Sequence, residues 1–458
     1  MSAWVGGAIA VGLVILSLLS RPTRMEIVRF WSRVSPLEGF GFLALALAIA
    51  ALSAQPVTWI DTGLYHYGAI HWLGEYGAVP GVALIHDRFA FTSSWFALAA
   101  PFDASWLGDR NSTLTNGFIF FLACFHLTIS LGYGYQKQAK FSDLFNISWS
   151  VLILSILLFY GWMSEVRVSL SPDIPIYLAS GLIPWSILVI SSQNPKNSDS
   201  FLNAWLVPLF LAAIAVTIKI MALPLLVVTY FNYLFQGRFK ISKIFLGSFL
   251  AFFLLLPMFT FGVIASGCPL YPKTAMCFDL PWLIPAQEAV KTAGITQRWG
   301  DWSGESPADN RDWLWISKQI WIWFKHSNTN KLMTFLVVIS VFFSSIILKK
   351  SKQEENYNGY FLIIALGITG MLFIITQAPT IRLGLGYFLV IPALFVTVLG
   401  YRLTQNQFSW VSNFASPLLF SKLALFLPIF LLSLGLFVQL RGQTQNYVLL
   451  PPELKKRN

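Results

Sequence analysis

The chain has 458 residues, of which 56% are hydrophobic and only 11% charged, with a formal net charge of +11 and a mean hydropathy of +0.65. That composition excludes an ordinary soluble globular domain and points to an integral membrane protein, for which length is no guide to domain count. The positive charge does not imply a nucleic-acid partner, because Lys and Arg fall in short clusters beside apolar runs, where they act as topology signals.

Apolar runs of span length occur at residues 2–20, 36–54, 117–135, 147–163, 174–192, 202–220, 221–235, 244–265, 331–348, 359–376, 387–401 and 418–438. The expected fold is all-α, a polytopic transmembrane helical bundle of about 12 spans, within roughly 10–13, forming one membrane domain over residues 1–458. The first run has neither the charged start nor the small-residue cleavage site of a signal peptide, and reads as a retained span. Arg21, Arg24, Arg29 and Arg33 stand before the second run, and Lys219 with Pro224 interrupts the tract Asn203–Phe235, which predicts two short helices meeting near Lys219.

Lys137 with Lys140, Arg238 with Lys240 and Lys243, and Lys349 with Lys350 and Lys352 occupy alternate short loops, which the positive-inside rule assigns to the cytoplasm. The intervening segments then face outward: loop 55–116, the first periplasmic loop; segment 162–173; the long periplasmic loop 266–330; turn 377–386; and the C-terminal tail. Asp61, Asp173, Lys219 and Arg382 all fall at outer ends of spans, as an active site or substrate cavity on that side requires. The Trp-rich stretch Trp313–Phe324 predicts a helix in the outer interface, either an anchor or a wall of a lipid groove. Cys268 and Cys277 share the long loop, whereas Cys124 lies in an apolar run. A bridge between the two loop cysteines requires an oxidising compartment, in a bacterium the periplasm, and two unpaired thiols are the alternative.

Between Asp61 and Asp87 the chain gathers His66, His71, Glu75 and His86. Asp61 has two readings that spacing leaves open: a helix cap accepting N–H bonds from Gly63 or Leu64, worth about 1 kcal/mol, or a general base for an acceptor hydroxyl. Asp173 follows Ser171-Pro172 as a helix cap, as a ligand for a divalent cation bridging a phosphate, or as a group positioning an acceptor. Lys219 either snorkels to the interface or binds phosphate. Arg382 carries the planar fork suited to phosphate, with Arg88 and Arg167 as weaker candidates of the same kind and a surface ion pair as the alternative for each. The histidine spacings match no metal motif; His71 and Glu75 read as an i,i+4 surface pair, and His66 beside Tyr65 as an acceptor-binding or hydrogen-bonding residue. Tyr65, Trp72 and Trp95 are of the type that stacks on a sugar ring or anchors at an interface. The chain shows no P-loop, Rossmann glycine pattern or zinc-ligand set to support a cytoplasmic nucleotide-dependent mechanism.

The string Asp61-Thr62-Gly63-Leu64-Tyr65-His66, followed by Val79-Pro80-Gly81, His86-Asp87-Arg88 and Phe91-Thr92-Ser93-Ser94-Trp95, resembles the first outer loop of a group of bacterial multispan proteins. Further matching stretches are Ser171-Pro172-Asp173, Thr217-Ile218-Lys219, Ser266-Gly267-Cys268-Pro269-Leu270-Tyr271-Pro272, Ala378-Pro379 with Arg382, and Gly386-Tyr387. That group is similar to the C-type membrane glycosyltransferases, which use lipid-phosphate sugar donors and an acid early in the first outer loop as catalytic base. The resemblance puts Asp61 in that role and implies sugar transfer from a polyprenyl-phosphate donor to a glycan, lipid or protein acceptor, at the periplasmic face of the bacterial inner membrane. Tyr65, His66, Arg88, Asp173, Lys219 and Arg382 are then the substrate-binding candidates, and a divalent cation at Asp173 is the one cofactor to consider. The chain departs from that superfamily in having an extra span before the acid and no evident large C-terminal outer domain. A polysaccharide polymerase or ligase, leaning on outer-loop arginines more than on Asp61, and a lipid-linked sugar flippase or transporter, with polar midplane residues and repeat symmetry, are the competing readings. A catalytic site requires Asp61, Asp173, Lys219 and Arg382 at one cavity; separations beyond roughly 15 Å would return each to its ordinary role.

Overall fold

Apolar segments fold into helices because a backbone removed from water must satisfy its own N–H and C=O groups. In the computed structural model, which describes residues 3–103, 114–135, 138–161, 163–193, 203–298, 313–349 and 357–405 together with 430, 432, 434 and 435, the chain is all-α, with no strand among the described residues. The predicted span 418–438 and the tail lie almost wholly outside those residues.

Helix α1 (Ala3–Leu19) meets α2 (Arg21–Arg33) at a bend of 86°. Ser20 starts α2 by accepting the Thr23 N–H, and Pro22 sits in the first turn, where its missing donor does no harm. Helix α3 (Pro36–Ser53) opens with a capping box, the Ser35 N–H donating to Glu38 Oε2 at 2.7 Å and the Glu38 N–H to Ser35 Oγ at 3.3 Å. The first loop then forms a π-helical turn, Thr62–His66, that runs directly into α4 (Tyr67–Glu75), followed by α5 (Ser94–Ala99). Next come α6 (Leu114–Tyr135), α7 (Phe141–Phe159), α8 (Met163–Arg167) and α9 (Asp173–Gln193). The interrupted tract resolves as predicted: α10 (Leu206–Ile218) stops where Lys219 turns extended, and α11 (Leu223–Gln236) restarts with Pro224 in its first turn. The remainder is α12 (Ile241–Ser266), α13 (Ala286–Arg298), α14 (Trp313–His326), α15 (Asn328–Lys349), α16 (Tyr357–Gln377) and α17 (Ile381–Gln405).

Among the described residues seven helices, α3, α6, α7, α9, α12, α16 and α17, are long and apolar enough to cross a membrane, or eight candidates if the bent α1–α2 pair is one span. The sequence counted more because it included α10 and α11, which are apolar but shorter, α15, of which the part Asn328–Ser344 ranks with the shorter apolar helices, and residues 418–438. α17 is the centre of the bundle, with 72% of its span buried against α7, α9, α15 and α16, whereas α12 keeps only 11% buried and stands at the periphery. The C-terminal ends of α7, α10 and α16 and the N-terminal ends of α11, α15 and α17 border one cavity. Lys140, Arg238 and Lys240 lie at the other ends of α7, α11 and α12.

Two loops build the roof of that cavity. α12 ends at Gly267 in a left-handed conformation (φ 82°) that only glycine adopts freely. Beyond it Cys268 and Cys277 form a disulfide, which settles the pairing that spacing left open. Cys268, Tyr271 and Ile284 pack with Val82, Ala83 and Ala90 of the first loop, and the Gly81 N–H donates to Ile264 O at 2.9 Å. α14 forms as predicted, but Trp323 is buried and stacked on Phe388 with ring centres 5.2 Å apart, so this helix is packed on α17 as well as presenting Trp321 outward.

Helix crossings at the centre depend on missing side chains. A Cβ on Gly386 of α17 would collide with Ser180 Oγ of α9, and one on Gly181 with the indole of Trp149 on α7. Gly386→Leu and Gly181→Val should therefore each lower stability by at least the 1–3 kcal/mol typical of overpacking. Thermal unfolding of the purified protein in detergent checks this, with Gly132→Ala, whose Cβ meets nothing within 4 Å, as the neutral control.

Candidate functional site

Arg382 occupies the first turn of α17, where the helix dipole disfavours a cation, so its place depends on carboxylates. It has two. Its Nη2 donates to Asp61 Oδ2 at 2.8 Å and its Nε to Asp173 Oδ2 at 2.7 Å. Lys219 completes the row by donating to Asp173 Oδ1. Trp59 holds the other side: its indole N–H donates to Asp61 Oδ2 at 3.1 Å while the Arg382 guanidinium lies over its ring at 4.4 Å. Arg88 approaches from the first loop, Nη1 3.8 Å from Asp61 Oδ1, with its guanidinium 5.6 Å from the Tyr65 ring centre.

The four residues whose meeting the site requires are thus joined side chain to side chain. Asp61 spends no side-chain bond on capping the helix it starts, which removes the structural half of its two readings. Asp173 is 2% exposed and does not line the cavity; both its oxygens face Lys219 and Arg382, so it acts by holding those two cations rather than by touching a ligand. Lys219 does not snorkel away, since α10 ends there and its chain turns back to Asp173.

The cavity measures about 850 Å³. Asp61, Tyr65, Arg88, Lys219 and Arg382 line its charged end, and Ile156, Met163, Met258, Leu270, Met333 and Phe373 belong to its apolar walls. Counting Asp173, three cations face two carboxylates, leaving one formal positive charge in a water-poor setting, where opposite charges attract strongly. The cavity therefore joins a cationic end to apolar walls. A divalent ion fits poorly, because Asp173 already meets Lys219 and Arg382, and Asp61 meets Arg382 as well with Arg88 3.8 Å away; among the described residues no group of three His, Cys, Asp or Glu is placed to hold a metal.

The remaining candidates separate. Tyr65 lines the cavity, and burial, followed by the nearby Asp61 and Asp173, pushes its phenol well above the usual range, so it stays protonated. His66 is fully buried behind it, in ring contact with Tyr65 and Phe96, outside the cavity lining; burial lowers its pKa from 6.5 to about 3, keeping it neutral. Arg167 is buried away from the cavity. His71 pairs with Asp103 at 2.9 Å, not with Glu75 as its helical spacing suggested. Trp72 packs on Tyr76 and Phe89, while Trp95 is buried with its indole N–H on Asn116 at 2.8 Å, so neither reaches a ligand in the cavity.

Asn116 and Tyr177 have no signal along the chain, whereas Ser93, Ser94, Thr217 and Ile218 lie in the stretches that carry the resemblance. Asn116, at the start of α6, accepts from Trp95 and donates to Ser169 O and Ser171 O, fastening the first loop to the turn that carries Asp173. Ser93 Oγ donates to Ile218 O at 2.8 Å and Ser94 Oγ meets Thr217 Oγ1 at 2.8 Å, so the same loop grips the end of α10 beside Lys219. Tyr177 donates its hydroxyl to Arg382 O. Trp59 was within reach as an aromatic two residues before the acid.

Residues 2–389 match a family described as a domain of unknown function, DUF8201, and the chain belongs to it. The match includes Asp61, Arg88, Asp173, Lys219 and Arg382. No curated protein and no solved structure matches the chain.

Two outcomes follow. Asp173→Ala strands two partly buried cations and should destabilise the protein by about 3–5 kcal/mol, with part of that loss recovered in Asp173→Ala/Lys219→Met; denaturant unfolding of both variants measures the difference. His66, whose folded pKa of about 3 lies below its ordinary 6.5, contributes stability that is present above pH 6.5 and lost as the pH falls from there toward 3. Thermal unfolding across that range should show a smaller acid loss in His66→Leu than in the wild type.

Proposed function

We propose that this DUF8201 protein is a membrane glycosyltransferase-like enzyme that moves a sugar from a polyprenyl-phosphate donor to an acceptor hydroxyl, at the periplasmic face of a bacterial inner membrane. The observation that carries this reading is the convergence of Asp61, Arg88, Lys219 and Arg382 on one large apolar cavity. The cationic end suits a phosphate, and the apolar walls suit the isoprenoid attached to it.

In the reaction, Asp61 Oδ1 takes the proton of the acceptor hydroxyl as its oxygen bonds to the anomeric carbon. Oδ2 is fixed by Trp59 and Arg382, whereas Oδ1 has only the looser approach of Arg88 at 3.8 Å and is the oxygen assigned this work. The bond from that carbon to the phosphate oxygen breaks, its electron pair leaves with the polyprenyl phosphate, and Lys219, Arg382 and Arg88 offset the growing charge. A single displacement inverts the anomeric centre. Acceptors of this chemistry are hydroxyls of a glycan, lipid or protein.

The periplasmic assignment draws support from the Cys268–Cys277 disulfide beside the cavity and from basic residues at the opposite helix ends. In this topology the α1–α2 pair, α10, α11 and α15 join the seven long helices, and residues 418–438 complete about 12 spans.

Membranes assayed for transfer from polyprenyl-phosphate sugars should lose activity by about 10²–10⁴-fold in Asp61→Asn, while binding of the lipid phosphate persists. Full activity in that variant would end the base assignment. A larger loss in Arg88→Gln than in Asp61→Asn would favour a polymerase or ligase. Translocation of lipid-linked sugar without transfer, in both variant and wild type, would make the protein a transporter.

A further inference from the structure

A fourth cation faces the cavity from a different element. Residues 269–273, held between Cys268 and Cys277, all line it, and the last of them is Lys273. Arg88, Lys219 and Arg382 are committed to Asp61 and Asp173, whereas Lys273 has no carboxylate partner among the described residues. Its backbone N–H is tied to Leu270 O at 2.8 Å, and Tyr271 packs on Phe91 of the first loop with ring centres 6.0 Å apart, so the segment is anchored at both ends and in the middle.

Building on the lipid-phosphate reading above, we infer that Lys273 forms a second phosphate subsite and that the lipid head accepted here is a diphosphate, so that the group displaced from the anomeric carbon is a polyprenyl diphosphate. The charge count supports this. The ion-paired cluster leaves one formal positive charge, which balances one phosphodiester; Lys273 raises the excess to two, the charge of a diphosphate bridging sugar and lipid. The placement also supports it. Lys273 stands on the roof while the cluster stands on the helix ends, so cations line the cavity from two sides. A lysine suits this position because its ammonium serves as a point charge for a mobile oxyanion without needing bidentate geometry. The disulfide limits how far the loop that carries Lys273 can move away from the cavity.

Titration of the purified full-length protein with farnesyl diphosphate and farnesyl monophosphate tests the subsite without requiring sugar transfer. The wild type should prefer the diphosphate by about tenfold, the effect of one added charge-assisted contact. Lys273→Met should lose that preference while keeping its monophosphate affinity, and Lys273→Arg should retain it. Cys268→Ser/Cys277→Ser should fall to the Lys273→Met ratio, with monophosphate binding reporting that the cavity is intact. A wild-type ratio in Lys273→Met would overturn the inference and leave the lipid-phosphate reading standing. Binding of neither compound by the wild type would overturn that reading itself.

Discussion

One guanidinium holding two carboxylates determines how this molecule closes. Arg382 reaches Asp173 across 209 residues of sequence and Asp61 across 321, so three distant parts of the chain must arrive together before any of them is satisfied. Each charge alone at a helix end within an apolar bundle would be strongly unfavourable; the geometry is tolerable because Nε and Nη2 point in the two directions from which the acids come. Lysine could not replace this arrangement, since one ammonium cannot present a planar fork to two acids while lying over an indole ring. The other contacts serve the same closure: Asn116 ties the first loop to the Asp173 turn, and Ser93 and Ser94 tie it to the end of α10.

The helices were legible because long apolar runs have few other ways to satisfy their backbone, and the break at Lys219 was legible because a charge and a proline interrupt one such run. The count of spans was less so. Length and hydropathy do not distinguish a short apolar helix such as α10 from a full crossing, and the bend at Ser20 turns a charged link into helix α2. Within the site, ionisable residues stood out against an apolar background, and four of them do meet. What stayed hidden was the layer behind them. Asp173 is out of reach of a ligand because its burial depends on α17, more than two hundred residues away in sequence. His71 chose Asp103 over Glu75 because a loop folded back on the helix, which i,i+4 spacing cannot show. The π-helical turn at Thr62–His66 altered the expected capping geometry at Asp61, and such turns often coincide with functional residues.

The cavity combines two solvents in one space. Its apolar walls exclude water, which strengthens every charge interaction at the polar end, and the fixed cations supply the oriented charges that water would otherwise provide. A soluble sugar nucleotide would leave most of the wall unused. An isoprenoid phosphate would cover both regions at once, with the favourable burial of its chain helping to carry a desolvated phosphate to the cations.

On that reading Asp61 has two duties that conflict, as the partner of Arg382 and as the acceptor of a proton. A guanidinium has a fixed number of N–H donors, and Arg382 divides its own between two carboxylates. A phosphate entering beside it is a further oxyanion competing for the same donors. It cannot readily displace Asp173, which is buried and also held by Lys219, so the competition falls on Asp61, the acid that faces the cavity. Donor binding would therefore draw Arg382 toward the phosphate and loosen Asp61 at the moment when an acceptor hydroxyl needs a base. On the same reading the asymmetry between the two acids, one sealed behind the cations and one lining the cavity, would let a single arginine stabilise the resting fold and still respond to a substrate.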